Sequence, residues 1–138
     1  MRSFTPDLPQ TSPKLPYALW HDLLGKPFRD GGRGPHEFDC VGLLLELQRR
    51  LGHAVPAYAS QEGSLGLALT EWDRVKYPEP GDGVLMRSVD PRWPWHIGTV
   101  CGGGYMLHAR LSTGVARERY DAFPWHKRIE GFYRWKPA

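Results

Sequence analysis

Two prolines, Pro78 and Pro80, divide the chain into parts of different periodicity, and this division constrains the fold more than any other feature. Beyond them the sequence breaks into short segments of strand type, at 83–88, 96–101, 105–111, 115–120 and 132–135, separated by glycine or proline turns. Before them the apolar spacing is helical. Helices first and an antiparallel sheet second predict the α+β class. A length of 138 residues suits one domain. With 41% hydrophobic and 12% aromatic residues, such a domain has enough material for a core. Residues 1–16 carry Pro6, Pro9, Pro13 and Pro16 and read as a proline-rich N-terminal arm, which leaves 17–138 as the folded domain.

In the first part, Ala18, Leu19, Leu23 and Leu24 predict a short helix over 17–24, stopped by Gly25 and Pro27. Residues 28–38 follow with three glycines and a proline, a composition that demands a shaped loop. Asp39 then suits the N-cap of a helix over 40–51. Its apolar residues Val41, Leu43, Leu44, Leu45, Leu47 and Leu51 cover a broad face, and Arg49, Arg50 and Gly52 close its C-terminal end. A weaker helix is predicted over 65–72.

Charge and cysteine content exclude several functions. The net charge is only +3, and the basic residues are dispersed, with Arg49-Arg50 and Lys127-Arg128 the only adjacent pairs, so no nucleic-acid partner is expected. No run of about 18 apolar residues is present to span a membrane. The N-terminus shows no apolar signal region, and the chain is expected to be made in the cytoplasm. Two cysteines cannot build a disulfide framework or a four-thiolate zinc site, so packing must supply the stability.

Cys40 would sit at the first turn of the predicted helix, where unpaired backbone N–H groups and the helix dipole favour the thiolate. Taken alone, it reads equally as a nucleophile or as a small buried hydrophobe. A nearby histidine would decide between them, and the hairpin over 95–109 offers two. If Gly102, Gly103 and Gly104 form a three-residue loop, Cys101 pairs with Tyr105, and His96 and His108 become diagonal neighbours on one face. A two-residue loop would put them on opposite faces. In the first register His96 has the position of a base and His108 that of the residue orienting it, with Cys101 packed on the other face. His21, His36, His53 and His126 lack such a setting. A metal reading would take Cys40, His96 and His108 as zinc ligands.

Four motifs in order resemble those of the NlpC/P60 cysteine peptidases. Phe38-Asp39-Cys40-Val41-Gly42-Leu43-Leu44 is similar to the Asp-Cys-Ser-Gly-Leu signature, and Pro80-Gly81-Asp82-Gly83-Val84-Leu85 to Pro-Gly-Asp-Leu. His96-Ile97-Gly98-Thr99-Val100 is similar to His-Val-Gly-Ile-Tyr, and Leu107-His108-Ala109 to Ile-His-Ala. The resemblance covers about 17–120. It implies a papain-like fold with the nucleophile helix on the sheet, Cys40 as nucleophile, His96 as base, His108 as the orienting third residue, and no cofactor or metal. Gly31-Gly32 is similar to the family's Tyr-x-x-Gly-Gly loop, but Phe28 stands where the tyrosine would be. Val41 replaces the usual serine, and its backbone N–H and that of Cys40 are the oxyanion candidates. Gly31, Gly32, Phe28 and Asp39 complete the substrate-binding candidates. Family members typically cleave peptides of bacterial cell walls, often between D-glutamate and a diamino acid, and several are parts of phage tails. The resemblance therefore implies a thiol peptidase acting on peptidoglycan stem peptides within a phage tail tip or tail-like particle, with tail-tip proteins as partners. Trp93, Trp125 and Trp135 are docking or packing residues in that reading. The alternative is a catalytically weak structural plug or adaptor of the same fold.

Overall fold

A computed structural model describes residues 13–56 and 69–136. Among the described residues there are one α-helix, α1 (Cys40–Arg50), and six strands: β1 (Trp72–Val75), β2 (Gly83–Arg87), β3 (Trp95–Gly102), β4 (Tyr105–Arg110), β5 (Gly114–Arg119) and β6 (Ile129–Trp135). Every pairing between these strands is antiparallel, and the sheet order is β1-β6-β2-β3-β4-β5. The α+β class predicted from the two periodicities is the class found. Side chains alternate across the sheet. Leu85, Ile97, Leu107, Ala109 and Val115 point to the face covered by α1 and cluster with its Cys40, Val41, Leu43, Leu44 and Leu47. Val84, Met86, Val100 and Met106 point to the other face, which Trp125 covers.

The helix begins where Asp39 was expected to cap it. Asp39 has extended backbone geometry, and its Oδ1 accepts the Gly42 N–H at 2.6 Å. Leu51 is the C-cap, and Gly52 follows with a positive φ of 86°, as a helix stop requires. Arg50 reaches back to Asp22 at 2.6 and 3.0 Å, tying the helix end to the preceding segment. The buried Gln48 amide donates to the Gly81 carbonyl at 2.6 Å and fixes the helix to the turn before β2. There Gly81 holds a φ of 95°, a conformation that strains any residue with a Cβ. Asp82 anchors the same turn through Arg134 on β6 at 2.8 and 2.9 Å.

Several elements differ from expectation. In place of one helix over 17–24 there are two 3₁₀ turns, Tyr17–Leu19 and His21–Leu23. Trp20 between them leaves helical geometry (φ −140°) so that its ring enters the core while its indole N–H donates to the Leu15 carbonyl. The helix expected over 65–72 lies outside the described residues at 65–68. Its remainder is a 3₁₀ turn, Leu69–Glu71, running into β1, where Trp72 stacks edge-on against Trp135 across the β1–β6 ladder. Of the proline-rich arm, 1–12 lie outside the described residues, while Leu15 is buried and donates its N–H to the Cys101 carbonyl at 2.9 Å.

The hairpin that carries the histidines also closes differently. Gly102, not Cys101, pairs with Tyr105, so the turn is the two-residue Gly103-Gly104. Alone this would reverse the parity. A bulge between Val100 and Gly102 inserts Cys101 as one extra residue and restores it, so that Val100 pairs with Met106. His96 and His108 therefore share a face, by a route that the loop-length argument did not contain. Cys101 is buried in the helix-side cluster with Leu15 and Leu107, and burial pushes its thiol pKa up.

Candidate active site

The first turn of α1 is built by the glycine loop before it. Asp39 is 1% exposed and spends its carboxylate on the chain itself: Oδ1 on Gly42 N–H and on Arg33 Nη1 at 2.7 Å, Oδ2 on Gly31 N–H at 3.1 Å. Burial raises its pKa, and the Gly42 and Gly31 N–H groups and the Arg33 charge pull the other way. The Gly32 carbonyl accepts Asp39 N–H and Arg33 Nη1, and it lies so close to Gly42 that a Cβ there would come within 1.9 Å. Gly31, Gly32 and Asp39 thus hold the loop on the helix. Cys40 is the first helical residue, 1% exposed, in the apolar cluster that also contains Ile97 and that Trp95 packs against. These two residues flank His96. Gly42 N–H goes to the Asp39 side chain and Leu43 N–H to the Asp39 carbonyl. The Val41 N–H is among the first-turn donors that a helix cannot satisfy itself.

On the opposite face, three side chains form a hydrogen-bonded series. His96 Nε2 lies 2.8 Å from His108 Nδ1, and His108 Nε2 lies 2.6 Å from Glu118 Oε1. His108 pairs with Ala116 across the β4–β5 ladder, which makes Glu118 its diagonal neighbour on the same face. The ionised carboxylate can only accept, so His108 Nε2 carries a proton. Burial, the largest influence on each, lowers the pKa of His108 and holds that of His96 well below the ordinary value. A neutral His108 then accepts at Nδ1, His96 donates from Nε2, and His96 Nδ1 is left with a lone pair. The hydrogen bond from His108 holds Glu118 below the usual carboxylate pKa. Trp125, 1% exposed, stacks on the His96 ring at 5.2 Å and meets His108 edge-on at 5.4 Å. It is a packing residue of the site and not a docking element.

The series opens onto a cleft of about 410 Å³ lined by His96 and Trp125 together with Phe28, Asp90, Trp93 and Arg110. Phe28 borders this cleft, whereas Gly31 and Gly32 border a separate cavity of the glycine loop. The zinc arrangement does not fit the donor directions: both ring nitrogens of His108 are engaged, one by His96 and one by Glu118. Among the described residues no group of three or more His, Cys, Asp or Glu is placed to hold a metal ion. Sequence reasoning brought His96 and His108 together but missed Glu118 and the stacking role of Trp125. Glu118 could have been found by extending the even-numbered face from β4 into the next strand. Trp125 lies in a loop whose path carries no periodic signal.

The NlpC/P60 family model matches residues 25–134. The chain is 28% identical over 118 residues to a probable endopeptidase p60 of Listeria grayi, covering 86% of this chain and 22% of that one. It is 27% identical over 107 residues to a probable endopeptidase of Corynebacterium glutamicum, covering 77% and 47%. It thus spans less than half the length of these curated relatives. The fold is similar to that of NlpC1 from Trichomonas vaginalis, with a TM-score of 0.69 at 21% identity over 88% of this chain and 43% of that one. It is also similar to the NlpC/p60 domain of the peptidoglycan hydrolase SagA, with a TM-score of 0.59 at 21% identity over 84% and 92%. The architecture is that of a papain-like α+β domain, with one helix packed on a six-stranded antiparallel sheet. The chain belongs to the NlpC/P60 family.

The buried histidines make stability depend on pH in a defined direction. Both have folded pKa values below the ordinary 6.5. As pH falls below that value, the unfolded chain takes up protons that the fold refuses, so their contribution is complete above about pH 6.5 and is lost as pH drops through the folded values. Glu118 acts in a lower window, because its stabilisation is lost only below its unfolded value of 4.5. Denaturant titrations should show stability falling as pH drops from about 6.5 to 5, by up to about 1.4 kcal/mol per pH unit for each histidine. The slope should be shallower in His96→Gln. A flat profile in the wild type would contradict the buried neutral pair.

Proposed function

We propose that the protein is a cysteine endopeptidase that hydrolyses peptide bonds of peptidoglycan stem peptides. The observation that carries this reading is the Glu118–His108–His96 series, which presents a neutral imidazole at the wall of a cleft in a chain whose helix starts at Cys40. The similarity to probable endopeptidases and to the NlpC/p60 domain of a peptidoglycan hydrolase supports the reaction and the substrate class.

In this mechanism the Cys40 thiol gives its proton to His96 Nδ1, and the sulfur attacks the amide carbonyl. As the C–S bond forms, the carbonyl π pair moves to oxygen, toward the Val41 N–H at the helix start. Collapse of the tetrahedral adduct breaks the C–N bond, and the leaving amine takes the proton from His96. His96 then deprotonates a water that attacks the thioester, which releases the carboxylate product and returns the thiol. His108 and Glu118 orient the imidazole and stabilise its charged form during the cycle.

Two further observations favour the weaker-enzyme alternative, a structural plug of the same fold: Cys40 is only 1% exposed, and Phe28 brings no hydroxyl to the cleft. One experiment separates the two. Wild type and Cys40→Ala are incubated with wall digests, and the fragments are followed by mass spectrometry. The peptidase reading expects new peptide termini from the wild type and a loss of about a thousandfold or more in the variant. Equal cleavage by both removes Cys40 as nucleophile, and no cleavage by the wild type favours the plug. Synthesis in the cytoplasm and assembly into a phage tail tip or tail-like particle is part of the same proposal. Its support is the tail-borne membership of the family, and absence of the chain from purified particles of its host would contradict it.

A further inference from the structure

Among the described residues, the cleft beside His96 has one cation in its wall that the catalytic series does not use. Arg110 lies two residues beyond His108 and so projects to the same face of β4. Its guanidinium sits over the Trp125 ring at 5.2 Å, and its side chain is 28% exposed at the cleft wall. Its ion pair with Glu118 is long, 3.5 Å from Nη1 to Oε1, and that oxygen already takes the short bond from His108. Arg110 therefore keeps most of its hydrogen-bonding capacity for something entering the cleft.

The other polar groups of the cleft are also mainly donors. Trp93 lines it, and its buried indole N–H has no hydrogen-bond partner. The Ser88 hydroxyl accepts the Asp90 N–H, which leaves its own proton to donate. The one carboxylate that the described residues place at the wall, Asp90, is neutralised by Arg92, which contacts both of its oxygens at 2.9–3.3 Å. A cation and unpartnered donors among the rings of Phe28, Trp93 and Trp125 match an anionic acceptor that can be desolvated, and a planar carboxylate is the form that a guanidinium binds best.

We propose that Arg110 is a specificity-determining residue that selects peptides carrying a free carboxylate near the scissile bond over the same peptides with that carboxylate amidated. This rests on the peptidase reading above. A bound carboxylate would also offset the positive charge that helps to hold His96 and His108 neutral, so the preferred substrate would strengthen the base that acts on it.

The test uses pairs of synthetic stem-peptide fragments that differ in one carboxylate, free or as the primary amide, with each carboxylate changed in turn. Wild type, Arg110→Lys and Arg110→Gln are compared by the ratio of kcat/KM within a pair, a readout that general loss of folding does not move. For one pair the wild type should prefer the free carboxylate by about tenfold to a hundredfold, the range expected for a hydrogen bond to a charged group. Arg110→Lys should keep part of that preference, and Arg110→Gln should bring the ratio close to one. A ratio unchanged in Arg110→Gln, or no preference in the wild type for any pair, overturns the proposal. Calorimetric binding of the same pairs to Cys40→Ala, with and without Arg110→Gln, separates this from the peptidase reading. Tighter binding of the free carboxylate that disappears in the double variant supports Arg110 even if the wild type cleaves neither peptide. Equal or undetectable binding of both forms to Cys40→Ala overturns it.

Discussion

The Glu118 carboxylate can only accept hydrogen bonds, and it lies 2.6 Å from His108 Nε2. That single contact propagates. It fixes the proton on one side of His108, which makes the other side an acceptor, which in turn fixes the proton of His96 on Nε2 and leaves Nδ1 basic. Burial does the rest, because an imidazolium away from water is costly unless a partner stabilises it. His108 is fully buried and His96 is 5% exposed, so the neutral forms dominate in the resting protein. The sheet is arranged around this series: β3, β4 and β5 each donate one member from the face that looks away from the helix. Trp125 closes over the two rings, and Arg110 closes over Trp125.

A second carboxylate plays the corresponding role at the helix. Asp39 satisfies a first-turn N–H, a loop N–H and a guanidinium at once, so the glycine loop and the start of α1 form one rigid piece. The close approach of the Gly32 carbonyl is possible only because Gly42 lacks a side chain, while a Cβ on Gly32 itself would come within 2.9 Å of the Arg29 carbonyl and the Phe38 backbone. The glycine at the third helical position thus admits the loop carbonyl, and the glycine in the loop lets the loop fold back on Phe38. In the proposed mechanism the rigid helix start supplies the nucleophile and the oxyanion donor, while the opposite face of the sheet supplies the base. Both sets border β3, where Ile97 belongs to the cluster of Cys40 and the adjacent His96 lines the cleft.

Much of this was legible in the sequence because it depends on short-range rules. Asp39 caps, Gly52 stops the helix, and the alternation of strands 83–88, 96–101, 105–111 and 115–120 places the core correctly within one or two residues. What was not legible depends on tertiary context. Trp20 breaks a helical pattern in order to bury its ring, and Trp72 joins a strand because Trp135 waits across the ladder. The hairpin register came out correctly although its loop is one residue shorter than expected, because the Cys101 bulge compensates, and a bulge leaves no periodic trace. Glu118 was missed because a charged residue on an edge strand ordinarily faces solvent. The diagonal pairing with His108 instead turns it into the series.

Protonation of the two imidazoles is the point on which the proposed chemistry turns, and nitrogen chemical shifts read it directly. In protein labelled with nitrogen-15 at histidine, long-range proton–nitrogen correlation spectra at pH 7 distinguish the two neutral tautomers and the imidazolium. Assignment by His96→Gln and His108→Gln should show both rings neutral with the proton on Nε2, and Glu118→Gln should disturb the His108 signals first. A His96 ring protonated on Nδ1, or an imidazolium at either position at pH 7, would contradict the account.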